Sequence, residues 1–134
     1  MGATRLGISI LLLCLIVTVP GSRAEEDKVE YESQRTDCIT FRVQSKAYYQ
    51  VDLEFYSQDR NAAWPGGGKV FVLKDSAIHE FPLKCRPGEK ICYGAWVRNA
   101  TNQYWGVGYN DRQSCTQCCF TANGQVTPVL VLNE

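Results

Sequence analysis

Few residues in this 134-residue chain have the types and spacing that catalysis needs. One histidine, His79, is available as a general base, and a Ser-His-Asp or Cys-His arrangement would have to use it. It lies in an alternating run, with His79, Phe81, Leu83 and Cys85 set against Glu80, Pro82 and Lys84. That period places it on an apolar strand face, as a packed ring rather than a base. Asp52 and Glu54 share one strand face and are candidates for a glycoside-hydrolysing carboxylate pair by residue type alone. Carboxylates so placed more commonly keep a strand soluble. The sequence holds no phosphate loop, no G-x-S-x-G elbow and no helix-borne metal motif. The expectation is a protein that is not an enzyme, with no cofactor and no metal.

The cysteines point to structure rather than catalysis. Cys14 falls in the N-terminal apolar run, which leaves Cys38, Cys85, Cys92, Cys115, Cys118 and Cys119. An even number in a short secreted chain implies three disulfides, whose connectivity stays open among fifteen possibilities. Cys118 and Cys119 are neighbours, and on a strand they face opposite ways, so they should find partners in two places. Cys115-x-x-Cys118 is half of a zinc site, but the other half is missing. Cys85 and Cys92 flank the turn Arg86-Pro87-Gly88-Glu89. They are placed either to bridge a hairpin or to pair at long range. The spacing is not that of a Kunitz, EGF-like, defensin, C-type lectin or immunoglobulin domain.

Aromatic residues carry the binding chemistry. If Arg98 lies opposite Gln103, Trp96 faces Trp105 and Cys92 faces Tyr109. Trp96, Trp105, Val107 and Cys92 then share the core face. Tyr93 and Tyr104 form a shallow platform on the other face, over the small residues Ala95, Gly106 and Gly108, suited to a sugar ring or a protein partner. This holds only for a four-residue loop Asn99–Asn102, because a slip of one residue exchanges the faces. Trp64, in the long loop Ser57–Lys69, is costly to expose and should pack or bind. Asn99-Ala100-Thr101 is a glycosylation sequon, expected at the hairpin tip.

The elements that must position these residues are strands. Ile39, Phe41 and Val43 alternate with polar neighbours, and so do Tyr49, Val51, Leu53 and Phe55. Val70 to Leu73 is a short continuous apolar run, as in a strand covered on both faces. Pro82 marks the strand around His79 as an edge. The second half reads as consecutive hairpins: Ile91–Arg98, Gln103–Tyr109, Cys115–Ala122 and Gln125–Leu132. Asn123-Gly124 is a two-residue turn signal before the last strand. About eight short strands and no helical period indicate an all-β fold, a small disulfide-stabilised antiparallel β-sandwich or partly open barrel.

Three segments follow. Residues 1–24 carry Arg5, the apolar run Leu6–Val19, and Ser22-Arg23-Ala24 before Glu25, the parts of a cleaved signal peptide. Residues 25–37 are acidic and expected to be flexible. Residues 38–134 form one cysteine-rich β domain. Without residues 1–24 the chain carries 12 basic and 14 acidic residues. The basic patch that nucleic-acid binding needs is absent, and no second apolar stretch reaches transmembrane length. The leading expectation is a secreted, non-catalytic extracellular binding module for a glycan or a protein, acting through Tyr93, Tyr104 and Trp64. The alternatives are a secreted toxin or defence effector acting on a membrane protein, and a structural component of an extracellular matrix or biomineral. The oligomeric state is left open.

Overall fold

Period-two alternation sets the first strands, and tertiary cover overrides it in later ones. The computed structural model describes residues 37–134, together with Gly2. The expected signal peptide and the acidic segment lie outside the described residues, except that Asp37 opens the first strand. Nine strands are described: β1 (Asp37–Ser45), β2 (Val51–Ser57), β3 (Ala63–Trp64), β4 (Phe71–Leu73), β5 (Ile78–Lys84), β6 (Lys90–Val97), β7 (Ala100–Gly106), β8 (Cys119–Thr121) and β9 (Gln125–Leu132). A short 3-10 turn, Tyr109–Asp111, follows β7.

The strands form two sheets. A three-stranded sheet has the order β5-β1-β9, and a six-stranded sheet runs β3-β2-β6-β7, with β4 also pairing β2 and β8 also pairing β6. They stack as a sandwich, not a closed barrel. Most pairs are antiparallel, but β1 and β9 run parallel. Pro128 fits in β9 because that strand is an edge and the ladder shifts there, between Thr40 and Arg42 on β1. The Thr127 hydroxyl accepts the Arg42 N–H at 3.1 Å within the irregularity. Pro82 lies on the other edge strand, β5, as its sequence signal indicates.

Two turn signals do something other than expected. Arg86-Pro87-Gly88-Glu89 is a tight turn, with the Glu89 N–H donating to the Arg86 carbonyl and Gly88 at φ +83°. It joins β5 in one sheet to β6 in the other, so it is a crossover and not a hairpin. Asn123-Gly124 likewise carries the chain from β8 to β9 across the sandwich. Of its two residues, Gly124 has positive φ, and its N–H donates to the Cys38 carbonyl. The expected β8 strand from Cys115 is shortened to its last residues, because Cys115–Cys118 form a loop closed by their own disulfide. Val70 to Leu73 is covered on one face: Leu73 is buried and Val72 is exposed.

The space between the sheets holds buried aliphatic side chains and a group of phenylalanines. All five of the chain's phenylalanines form one connected cluster. Phe41 of β1 meets Phe55 of β2 across the sandwich, with ring centroids 4.5 Å apart. Phe55 also touches Phe71 and Phe81. Cys38–Cys85 staples the start of β1 to the end of β5, and Cys92–Cys119 joins paired positions of β6 and β8. The neighbours Cys118 and Cys119 thus do take partners in different places.

Glu89 locks the β5–β6 crossover to the loop after β2. Its carboxylate is buried and accepts hydrogen bonds from Arg60, the Arg86 N–H and the Ser57 hydroxyl. Burial opposes the charge, but these donors outweigh it and hold the pKa below the ordinary glutamate value.

Two outcomes test this packing. Phe55→Ala should cost about 3–5 kcal/mol in denaturant unfolding, because a large fully buried ring is removed from three aromatic neighbours. Glu89→Gln should cost about 1.5–3 kcal/mol at neutral pH, as charge-assisted hydrogen bonds weaken. A depressed native carboxylate pKa stabilises above the unfolded value and is lost as pH falls through the native one. The parent should therefore lose stability below about pH 4.5, and the variant should show a shallower acid limb in urea melts run across pH.

Candidate functional site

The register of β6 against β7 decides which aromatic residues meet. Trp96 pairs with Tyr104, Ala95 with Trp105 and Gly94 with Gly106. This is one residue away from the register the sequence suggested: β7 keeps Trp105 inward and Tyr104 outward, but β6 is turned over, with Trp96 and Cys92 outward instead of on the core face. The cause is the turn. Val97 pairs with Ala100 around Arg98-Asn99, and the ladder then shifts, leaving Thr101–Gln103 outside the pairing. Tyr93 therefore lies on the inward face with Phe55 and Ala95, while Tyr104 lies on the outward face beside Trp96. The two tyrosines do not form a shared platform. Cys92 sits opposite Tyr56 and Cys119 rather than opposite Tyr109.

The outward face near Trp96 is itself covered. Tyr109 packs edge-on against Trp96 at 5.1 Å between ring centroids, and Trp96 is only 3% exposed. Two glycines permit this cover. A Cβ on Gly94 would stand 2.2 Å from the Gly108 carbonyl oxygen, and Gly106 turns the chain at φ +64°. Asp52, on the same face, is held by Arg98 with Nη2 2.9 Å from its carboxylate, so it is an ion-pair partner. Glu54 borders a separate recess of about 680 Å³ with Gly66–Gly68, Asn110 and Asp111. Burial raises the Glu54 pKa against the opposing effect of the Tyr56 hydroxyl bonded to it. The same burial, together with Glu54, pushes the Tyr56 phenol upward. His79, half-exposed, bonds Asp75 at 2.7 Å.

Trp64 is a packing residue. It belongs to β3, borders the main core, donates its indole N–H to the Lys84 carbonyl at 3.0 Å and lies under the Arg60 guanidinium. Tyr93 is half-buried between the main core and the small cluster of Tyr56, Cys92, Val107 and Cys118, and burial raises its pKa. Asn99 is exposed at the β6–β7 turn tip with φ +65°, so its side chain stands in solvent.

Of the three expected ligand-binding residues, Tyr104 lines a cleft. The cleft, about 570 Å³, opens where the β1–β2 loop, the unpaired stretch of β7 and the last residues meet. Tyr48, Tyr49 and Tyr104 border it and are 85%, 63% and 43% exposed. Tyr48 and Tyr49 stand edge-to-face at 5.2 Å. Trp105 forms part of the wall, its indole N–H donating to the Asn133 carbonyl at 2.6 Å. Asn102 and Gln103 supply side-chain amides. Among the described residues, Glu134 is the one charged lining residue, and it accepts the Tyr48 N–H. The alternating pattern placed Tyr49 inside a strand, but β2 begins at Val51 and Tyr49 lies in the loop before it. The adjacent pair Tyr48-Tyr49 was the signal that could have found this site.

No family model matches the chain, and no curated protein or solved structure matches it. Among the described residues there is no cluster of three or more metal-ligating side chains, and no helix is long and apolar enough to cross a membrane.

The site divides its aromatic residues into exposed and packed sets, which substitution separates. Tyr48→Ala and Tyr104→Ala should change stability by no more than about 0.5 kcal/mol, while Trp96→Ala should cost about 3–5 kcal/mol in chemical denaturation. The register suggested by the sequence would place Trp96 and Trp105 together on the core face and make both comparably costly to remove.

Proposed function

We propose that this chain is a secreted, non-catalytic extracellular binding module whose ligand is a glycan held in the Tyr48–Tyr49–Tyr104 cleft. The observation that carries the reading is the convergence of three exposed tyrosines with the amides of Asn102 and Gln103 on one concavity. A large exposed aromatic patch needs an occupant more than scattered apolar residues do. A sugar ring has an apolar C–H face that packs on aromatic rings, and hydroxyls that match amides, which both donate and accept. Sites of this composition, mostly apolar with a few fixed polar groups, are the ordinary form of small-ligand pockets. The signal-peptide pattern, three disulfides and the Asn99 sequon support an oxidising secretory route, with Asn99 as a glycan acceptor.

The single lining charge, Glu134, favours neutral saccharides over sulfated or sialylated ones. A glycan array probed with oxidised protein should show selective binding to neutral glycans. Tyr104→Ala and Tyr48→Ala should each weaken it about 2- to 10-fold, as expected for loss of one aromatic contact. A blank array from folded protein would overturn the glycan reading and favour a protein ligand. Binding unaffected by both substitutions would move the site elsewhere.

A further inference from the structure

The three disulfides are not equivalent. Cys38–Cys85 and Cys92–Cys119 close chain separations of 47 and 27 residues, whereas Cys115–Cys118 closes a separation of 3. Stabilisation by a cross-link falls with the size of the loop it closes, so the third bridge contributes least to the fold. It also lies outside the paired strands, in a loop where Arg112, Gln113, Ser114, Thr116 and Gln117 are all exposed. Its two sulfurs differ in environment. Cys115 is partly exposed, while Cys118 is 4% exposed and packs with Tyr56, Cys92 and Val107. The backbone at Cys118 is fixed independently of the bridge: its carbonyl accepts the Tyr93 N–H at 3.0 Å, and the next residue is tied to β6 through Cys92–Cys119.

We propose that Cys115–Cys118 is a thiol-exchange site that reacts with low-molecular-weight thiols at Cys115 while the other two bridges stay closed. The incoming thiolate attacks the Cys115 sulfur, because it is the accessible one. The Cys115–Cys118 bond breaks, a mixed disulfide forms on Cys115, and Cys118 departs as a thiolate that takes up a proton. A second thiol attacks the mixed disulfide at its small-molecule sulfur. This releases an oxidised thiol dimer and leaves Cys115 reduced. Two thiols are oxidised and one protein disulfide is reduced. The leaving thiolate stays where the sheet holds it, so the bridge can close again when the thiol is removed. Opening frees the loop from Ser114 to Gln117, while the Gln113 N–H stays bonded to the Val107 carbonyl, the Asn110 N–H to the Tyr56 hydroxyl and Asp111 to Gln58. This site is separate from the aromatic cleft and does not depend on its ligand.

The test is graded exposure of the oxidised protein to glutathione, followed by alkylation and peptide mass spectrometry. Cys115 and Cys118 should be alkylated at glutathione concentrations at least tenfold below those that label the other four cysteines. Under limiting thiol the glutathione adduct should sit on Cys115, and the near-ultraviolet circular dichroism should be retained. Hydrogen exchange should quicken at 114–117 and stay unchanged in β6. Simultaneous opening of all three bridges, earlier opening of either long-range bridge, or an adduct on Cys118 would each overturn the proposal. The Cys115→Ser/Cys118→Ser double variant should keep the parent circular dichroism and lose the early glutathione consumption; an unfolded double variant would show the bridge to be structural and would also overturn it.

Discussion

The packing of Phe41 on Phe55 is the contact on which the rest of the structure depends. One ring belongs to the three-stranded sheet and the other to the six-stranded sheet, and both are fully buried. The chain passes between the sheets after β1, after β4, after β5 and after β8, so neither sheet is a continuous segment that could form first by local hairpins. Each needs strands that the other interrupts. The parallel pairing of β1 with β9 joins the two ends of the described chain. Folding therefore draws on contacts distant in sequence, whose closure entropy is repaid by buried aromatic area. The long-range bridge Cys38–Cys85 and the Glu89 network both lie at the β5–β6 crossover and fix the chain where it changes sheets.

A second constraint comes from glycines that let chain segments approach more closely than any side chain allows. Gly94 accepts the Gly108 backbone against β6, and Gly106 turns β7 where its neighbour in space is the Tyr93 carbonyl. The segment after β7 can then fold back over the outward face of the six-stranded sheet. It brings Tyr109 onto Trp96, and Cys118 beside Cys92 and Tyr56. A β-sheet face that would otherwise meet water becomes a small second core. Within that core Tyr56 serves both sides, its ring packed among sulfurs and its hydroxyl accepting the Asn110 N–H.

This doubled cover explains what could be read from the sequence and what could not. In β1 one face is buried and the other half-wet, so Ile39, Phe41 and Val43 announce themselves by alternation. In β6 nearly every residue from Ile91 to Val97 is buried, so the pattern loses its period and the two faces become indistinguishable. The register of β7 then rested on loop length alone. The sequon turn Arg98-Asn99, with its unpaired residues beyond, supplied a shift of the kind a four-residue loop does not. Fold class, edge placement of Pro82 and the separation of Cys118 from Cys119 follow from local chemistry, and were legible. The crossovers at Pro87-Gly88 and Asn123-Gly124 were not, because a tight turn has the same sequence whether the strands it joins pair with each other or leave for different sheets.

The irregularity that hid the register also makes the cleft. A regular β6–β7 hairpin would pair Thr101–Gln103 with β6, fixing their backbone in the ladder and alternating their side chains between the faces. Released from pairing, Asn102 and Gln103 line the concavity beside Tyr104, and the β1–β2 loop closes it with Tyr48 and Tyr49. Strand irregularities next to functional surfaces commonly serve to re-aim side chains in this way. The walls are nevertheless well anchored: Trp105 is tied to Asn133, Tyr48 to Glu134, and the loop preceding β2 to Leu132 through the Lys46 N–H. These bonds hold the backbone and the indole beneath the tyrosines, while the tyrosine rings themselves, 85%, 63% and 43% exposed, keep their rotamer freedom. An occupant of the cleft would have to offset the ordering of those rings, so the fixed backbone lowers only part of the cost of binding.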